Sequence, residues 1–132
     1  RASSHSMAIL GVGTDILKTS RILSLIRRRS PEKLAYRILS ALEVAHWHAS
    51  RSGSDLSRDA QFLGVRWALK EAAYKALYPT FRPTWKDLTY HPLGATEPGS
   101  KPSLSYKHRC DLVLHCSVSH DADYIFSTVV AE

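Results

Sequence analysis

One segment constrains this chain more than any other: FLGVRWALKEAAYKAL, residues 62–77. Phe62, Val65, Leu69, Ala72 and Ala76 recur at steps of three and four, which predicts a helix from about Ala60 to Leu77 with one core-facing stripe, closed by Pro79. Ala68, Ala72 and Ala76 are small, so a neighbour can approach the helix backbone closely. The same helix carries Arg66, Lys70, Glu71 and Lys75, paired at four-residue steps on shared ridges. Phe62, Trp67, Tyr74 and Tyr78 surround these charges, and a merely solvated face seldom carries so many rings. An acid held among bases and rings suits a magnesium–phosphate site: the carboxylate holds the cation and the bases hold the remaining phosphate charge.

The second informative stretch is GVGTDILKTSRI, Gly11 to Ile22. Ala8 to Val12 reads as a short buried strand flanked by glycines, and Ile16, Ile22, Leu23 and Ile26 predict a helix from Ile16 to Arg29. Asp15 falls between them, as an N-cap or as a metal ligand. The GVG is neither a dinucleotide fingerprint, lacking a third glycine, nor a phosphate loop, lacking a following Gly-Lys-Ser/Thr.

Elsewhere, Pro31 opens a short helix with Leu34 to Leu39, and Ser40 with Glu43 makes a capping box before a helix bearing Leu42, Val44, Ala45 and Trp47. Ser50 to Asp59 is a polar loop. TWKDLTYH with PSLSY, and DLVLHCSVS with DYIFSTVVA, read as antiparallel pairs. In the latter, Leu112, Leu114, Cys116 and Val118 share one face, while Val113, His115, Ser117 and Ser119 share the other. The expected fold class is α+β, helices packed on a largely antiparallel sheet, with residues 8–132 as one domain and 1–7 as an unstructured tail. That tail, rich in Arg and Ser, reads as a cloning remnant or the remains of an organelle-targeting segment. Cys110 and Cys116 read as small core or strand residues in a reducing compartment. No apolar run approaches the ~20 residues needed to cross a bilayer. Eighteen Lys+Arg against 12 Asp+Glu give a net charge of +6, which favours acidic partners.

Together the two stretches resemble the signature segments of the phosphopantetheinyl transferases, in particular the small holo-acyl-carrier-protein synthase branch: Gly-x-Gly-x-Asp with Arg-Ile six residues after the Asp, then Phe-Leu-x-x-Arg-aromatic-Ala-x-Lys-Glu-Ala-x-x-Lys-Ala. RILSALE (Arg37 to Glu43), Gly99 to Leu104 and HCSVSHDADYIFSTVV extend the similarity across the chain from Met7. The resemblance implies Mg²⁺-dependent transfer of 4′-phosphopantetheine from coenzyme A to a serine of an acyl carrier protein, releasing adenosine 3′,5′-bisphosphate. It implies Asp15 and Glu71 as metal ligands, and Glu71 and Lys75 as catalytic residues. Asp15, Arg66, Lys70, Lys75, His115 and Ser117 would bind the coenzyme, with Arg66 at its nucleotide end. Arg21, Arg27 and Arg28 would dock the acidic carrier. The serine proton would pass to a metal-linked water or to a carboxylate such as Glu71. A homotrimer with active sites between protomers is implied as well. YPTFRPTW replaces the glycine-rich turn of the bacterial pattern; Arg82 is a candidate phosphate contact there, and this loop with the N-terminus points to a eukaryotic form in the mitochondrial matrix, the cytoplasm being the alternative.

Two rivals remain at this level. A basic nucleic-acid-binding module explains the charge, but not acids placed at Asp15 and Glu71, which repel phosphate unless a metal intervenes. A catalytically dead scaffold is disfavoured by the retention of Asp15, Glu71 and Lys75. The expected partners are therefore coenzyme A and a carrier protein, with no nucleic acid and no membrane.

Overall fold

The computed structural model describes residues 8–51 and 53–132. In chain order it runs β1 (Gly11–Lys18), α1 (Thr19–Arg28), α2 (Pro31–Ile38), α3 (Ala41–Ser50), α4 (Leu56–Leu77), a 3₁₀ turn (Trp85–Asp87), β2 (Leu88–His91), β3 (Ser103–Tyr106), β4 (Leu114–Asp121) and β5 (Tyr124–Ala131). The strands form one sheet in the order β1-β5-β4-β3-β2, antiparallel throughout. Both expected strand pairs form, and the helices gather on one face, as an α+β fold requires. The expected tail at 1–7 lies outside the described residues.

Helix α4 begins a turn earlier than its apolar pattern predicts. The Asp55 side chain caps it by accepting from the backbone N–H groups of Ser57 and Arg58, which takes over part of the expected polar loop. Nor is its core contact a single stripe. Leu63, Arg66, Lys70, Ala73 and Leu77 are buried along with Val65, Leu69, Ala72 and Ala76, so α4 is enclosed around most of its girth. Truncating a fully buried leucine such as Leu69 costs about 2–5 kcal/mol. At its N-terminal end, Arg51 reaches Asp59 at 3.0 Å and also pairs with Glu32, tying α2 to α4.

The largest departure from expectation is β1. The strand does not stop before Asp15; it continues to Lys18, paired with β5 from Gly11↔Ala131 to Lys18↔Tyr124, and α1 starts only at Thr19. Ladder hydrogen bonds along a full partner strand override the weak helical spacing of Ile16 with Ile22 and Ile26. Asp15 is therefore a mid-strand residue, not an N-cap. Alternation turns Gly11, Gly13, Asp15 and Leu17 toward α4 and turns Val12, Thr14 and Ile16 outward. The contact is unusually close: a Cβ on Gly11 would lie 2.0 Å from the Ala76 carbonyl oxygen, and one on Gly13 would lie 1.9 Å from that of Ala72. Only glycine fits at either place.

Among the described residues, no layer covers the outer sheet face. Val12, Ile16, Val113 and Phe126 stand exposed there. Cys116 is half-buried on the inner face of β4, whereas Cys110 is exposed in a turn and not in the core; both are free thiols. No helix of the described residues is long and apolar enough to cross a membrane.

Candidate active site

The contact between β1 and α4 builds the site. Gly11 rests on Ala76 and Gly13 on Ala72, so Asp15, two residues further, arrives beside the turn of α4 that carries Glu71. Ser127, directly across the ladder from Asp15, donates to the Ala68 carbonyl at 2.7 Å and fixes the same level from β5. Both carboxyls hold their protons more tightly than ordinary. For Asp15 the main cause is burial, opposed by Lys75 and Arg21. For Glu71 burial again comes first, followed by the negative charge of Asp15, with Lys75 and Arg21 opposing. Lys75, one turn beyond Glu71, donates to the Thr14 carbonyl at 2.8 Å and to Asp15 Oδ1 at 3.4 Å. Asp15 and Glu71 are thus neighbouring carboxyls flanked by two cations, Lys75 and Arg21.

The donor set fits Mg²⁺ and not a softer metal. Among the described residues no three His, Cys, Asp or Glu side chains gather into a cage, so a metal here would have two hard oxygen ligands from the protein. Mg²⁺ uses such sites, completing its octahedron with phosphate oxygens and water. A cleft of about 400 Å³ opens alongside, lined by Lys70, Glu71, Tyr74, Pro83, Thr84, Trp85 and Leu88. Arg82, on the loop leading into it, is exposed, its guanidinium 5.1 Å from the Tyr78 ring.

The other expected site residues are placed as follows. Lys70 lines the cleft, but its ammonium is enclosed. Its side chain is 1% exposed and its ammonium is saturated by Glu43 Oε1 at 2.5 Å, the Ile38 carbonyl at 2.7 Å and the Trp85 carbonyl at 2.9 Å. The physical reason is helical phase: one residue, about 100°, separates Lys70 from Glu71, enough to turn one inward and the other to the edge. Arg66 is likewise buried, donating to the Phe62 carbonyl at 3.2 Å, with the Phe62 ring 3.5 Å and the Tyr90 ring 5.1 Å from its guanidinium carbon. Burial pushes its pKa down to about 10. His115 and Ser117 are exposed on the outer face of β4, across the sheet from Asp15, and His115 Nε2 pairs with Glu132 at 2.9 Å. Within one chain these two do not join the Asp15–Glu71 pair. Arg21 stands exposed in the first turns of α1, where its charge acts on both carboxyls, and Arg27 and Arg28 are exposed in the last turn.

The residue that the sequence reading undervalued is Glu43. It is the expected capping-box acid, accepting from the Ser40 N–H at 2.8 Å, but it is also fully buried and binds Lys70 and the Tyr90 N–H at 2.9 Å. The available signal was the spacing of Arg66, Lys70, Ala73 and Leu77, a second buried stripe that demands a buried acid somewhere.

Comparison with known proteins bears on this geometry. Residues 11–129 match the family model of the 4′-phosphopantetheinyl transferase superfamily. A holo-[acyl-carrier-protein] synthase of Hamiltonella defensa is 34% identical, covering 96% of this chain and 99% of that protein. A Schizosaccharomyces pombe protein given the same name in provisional form is 36% identical, over 92% of this chain and 94% of that one. Among solved structures, the holo-[acyl-carrier-protein] synthase of Neisseria meningitidis superposes with a TM-score of 0.74 at 26% identity, covering 95% of this chain and 99% of that one. A Bacillus anthracis holo-(acyl-carrier-protein) synthase in complex with CoA (3′,5′-ADP) superposes at 0.71, also at 26% identity, over 94% and 96%.

Proposed function

Because the chain belongs to the 4′-phosphopantetheinyl transferase superfamily and is an enzyme of its holo-[acyl-carrier-protein] synthase branch, we propose that it transfers the 4′-phosphopantetheine arm of coenzyme A to a serine of an acidic acyl carrier protein with Mg²⁺, releasing adenosine 3′,5′-bisphosphate. The observation that carries this reading is the neighbouring Asp15 and Glu71, flanked by Lys75 and Arg21, with Glu71 also lining the cleft. The serine oxygen forms a new bond to the phosphorus that bears the pantetheine arm. The bond from that phosphorus to the nucleotide breaks, and its electron pair leaves with the bisphosphate. The reaction needs positioning and charge neutralisation more than covalent help from the protein. Asp15 and Glu71 would hold Mg²⁺, which supplies charge to the phosphoryl oxygens. Lys75 steadies Asp15 and adds a second positive charge beside the pyrophosphate. The serine proton would pass to a metal-linked water or to a carboxylate such as Glu71.

Arg21, Arg27 and Arg28 would receive the carrier along α1, where an acidic helix is steered by charge. The uncovered outer face, with Val12, Ile16, Val113 and Phe126, supports assembly into a trimer. Such an assembly accounts for His115 and Ser117: a second copy is needed to bring an outer-face residue to the cleft of its neighbour.

The test is the intact mass of an apo acyl carrier protein incubated with this protein and coenzyme A. The expected result is a gain of one phosphopantetheine arm, with equimolar adenosine 3′,5′-bisphosphate, only when Mg²⁺ is present. No gain with any carrier, bacterial or mitochondrial in type, refutes the reading. Light scattering after gel filtration checks the trimer, which Ile16→Asp should dissociate.

A further inference from the structure

We propose that the buried Glu43–Lys70 pair positions the coenzyme cleft, by tying its 83–85 wall to the turn of α4 that carries Glu71. The inference rests on the reading of the cleft given above and goes on to name what holds it in shape.

The Lys70 ammonium has three hydrogens and three acceptors, each on a different segment: Ile38 at the end of α2, Glu43 in the first turn of α3, and Trp85 in the 3₁₀ turn. Glu43 is equally committed, since Oε1 accepts from Lys70 and the Ser40 N–H, and Oε2 accepts from the Tyr90 N–H of β2. One acid and one base thus connect α2, α3, α4, the 3₁₀ turn and β2. The wall of the cleft opposite Glu71 is Pro83, Thr84 and Trp85. Its other contacts include the tilted stack of Trp67 on Trp85 at 5.1 Å, the Phe81 N–H on the Leu77 carbonyl at 2.9 Å and, indirectly, Lys86 on the carbonyls of Tyr36 and Leu39. Rings slide over one another at little cost. The hydrogen bond to the Trp85 carbonyl does not, because it fixes a backbone atom by direction as well as distance.

A buried ion pair is a poor way to gain stability. Both charges must be desolvated, and apolar residues of equal volume often serve as well. Burial draws the Lys70 ammonium below its usual pKa range, with Glu43 opposing, so the site bears that penalty. What the pair supplies, and an apolar pair cannot, is a fixed position for the Trp85 backbone relative to Glu71. Lys70 and Glu43 are therefore positioning residues. The metal pair does not depend on them, since Asp15 is set against Glu71 by the separate packing of β1 on α4.

The experiment compares the wild-type protein with the charge-free double variant Glu43→Leu/Lys70→Met, using a carrier-loading assay and calorimetric titration of coenzyme A with Mg²⁺. The double variant leaves no charge unpaired, but the Ser40 and Tyr90 N–H groups and the Ile38 and Trp85 carbonyls lose their partners, so it should melt below wild type while remaining folded. Its Kd and KM for coenzyme A should rise about tenfold with kcat within about twofold, since the wall is loosened and the metal pair is not. Amide exchange across 83–90 should quicken. A double variant that is folded and has wild-type Kd and KM overturns the proposal and leaves the transferase reading intact. A wild-type protein that neither binds coenzyme A nor loads a carrier overturns both. Should the double variant fail to fold, Glu43→Gln/Lys70→Met carries the test. It loses both charges and the bond to the Trp85 carbonyl but keeps an acceptor for the Ser40 and Tyr90 N–H groups; a coenzyme KM unchanged from wild type is then the refuting result.

Discussion

Helix α4 carries two pairs of charges that look alike in the sequence and behave as opposites in the fold. Arg66 and Lys70 face inward; Glu71 and Lys75 face the edge. Lys70 and Lys75 are both lysines four or five residues from another charge, yet the side chain of one is 1% exposed and that of the other 54%. The inner lysine has a full set of acceptors, including an acid from another helix. The outer one leans on Thr14 and Asp15 and keeps most of its surface in water. Lys70 in the inner cluster has its charge satisfied by Glu43, while Arg66 donates to one carbonyl and lies against two rings. The outer cluster holds two partly buried carboxyls whose protons are held more tightly by burial, and for Glu71 also by the Asp15 charge, with Lys75 and Arg21 opposing.

The sharpest break of this contrast comes at the outer cluster. Asp15→Ala or Glu71→Ala should lower carrier loading by at least about a thousandfold, equivalent to ~4 kcal/mol, while circular dichroism and the melting profile stay native. Activity retained in either would falsify the metal assignment. At the inner cluster the order of effects reverses. Lys70→Met alone leaves Glu43 buried and unpaired, which costs about 3–5 kcal/mol and should lower Tm by on the order of 10–20 °C. A Tm drop of only a degree or two would mean that the pair is not closed to solvent.

Gly13→Ala tests the joint that keeps the clusters apart. Its Cβ would meet the Ala72 carbonyl oxygen at 1.9 Å, so β1 must lift from α4. A loss of about 1–3 kcal/mol is expected from overpacking, together with a fall in activity, because Asp15 moves with the strand. Arg21→Ala is milder: KM for the carrier should rise about tenfold, ~1.4 kcal/mol, with coenzyme KM unchanged. An unaltered carrier KM would remove Arg21 from the docking surface.

The smallest effect concerns pH. A carboxyl whose pKa is raised on folding destabilises the folded state wherever it must be ionised. Asp15 and Glu71 both lie in that direction, so their contribution is absent in acid, sets in as pH rises past the ordinary carboxylate range near ~4, and is complete above the folded values. Glu71→Gln should therefore melt a few degrees higher than wild type at neutral pH without Mg²⁺. The difference should vanish in acid, and Mg²⁺ should narrow it by stabilising wild type alone. Equal Tm values at neutral pH in metal-free buffer would show that the pair is not strained.

Much of this was legible beforehand. The steps of three and four from Phe62 to Ala76 located α4, the alternation in LVLHCSVS assigned the faces of β4, and the Ser40–Glu43 spacing marked a true capping box. These are local signals, carried by backbone geometry that repeats every few residues. Asp15, Glu71 and Lys75 could be chosen as a group because the GVGTD and LKEAAYK segments resemble a known pair. What the resemblance did not carry was solvent access. Nothing in LKEAAYK shows that the Lys70 ammonium is enclosed while Lys75 stays open, and Asp15 read as a boundary residue because nothing within GVGTDILK reveals the strand that pairs with it.

The sequence by itself determined the elements, their polarity and the residue types available for chemistry, because periodicity and capping act over a single turn or strand. Only the tertiary structure decided which charges are enclosed and which are left open. Glu43 reaches Lys70 across 27 residues and Asp15 reaches Lys75 across 60, and burial belongs to the packed neighbours of a side chain and not to the side chain itself.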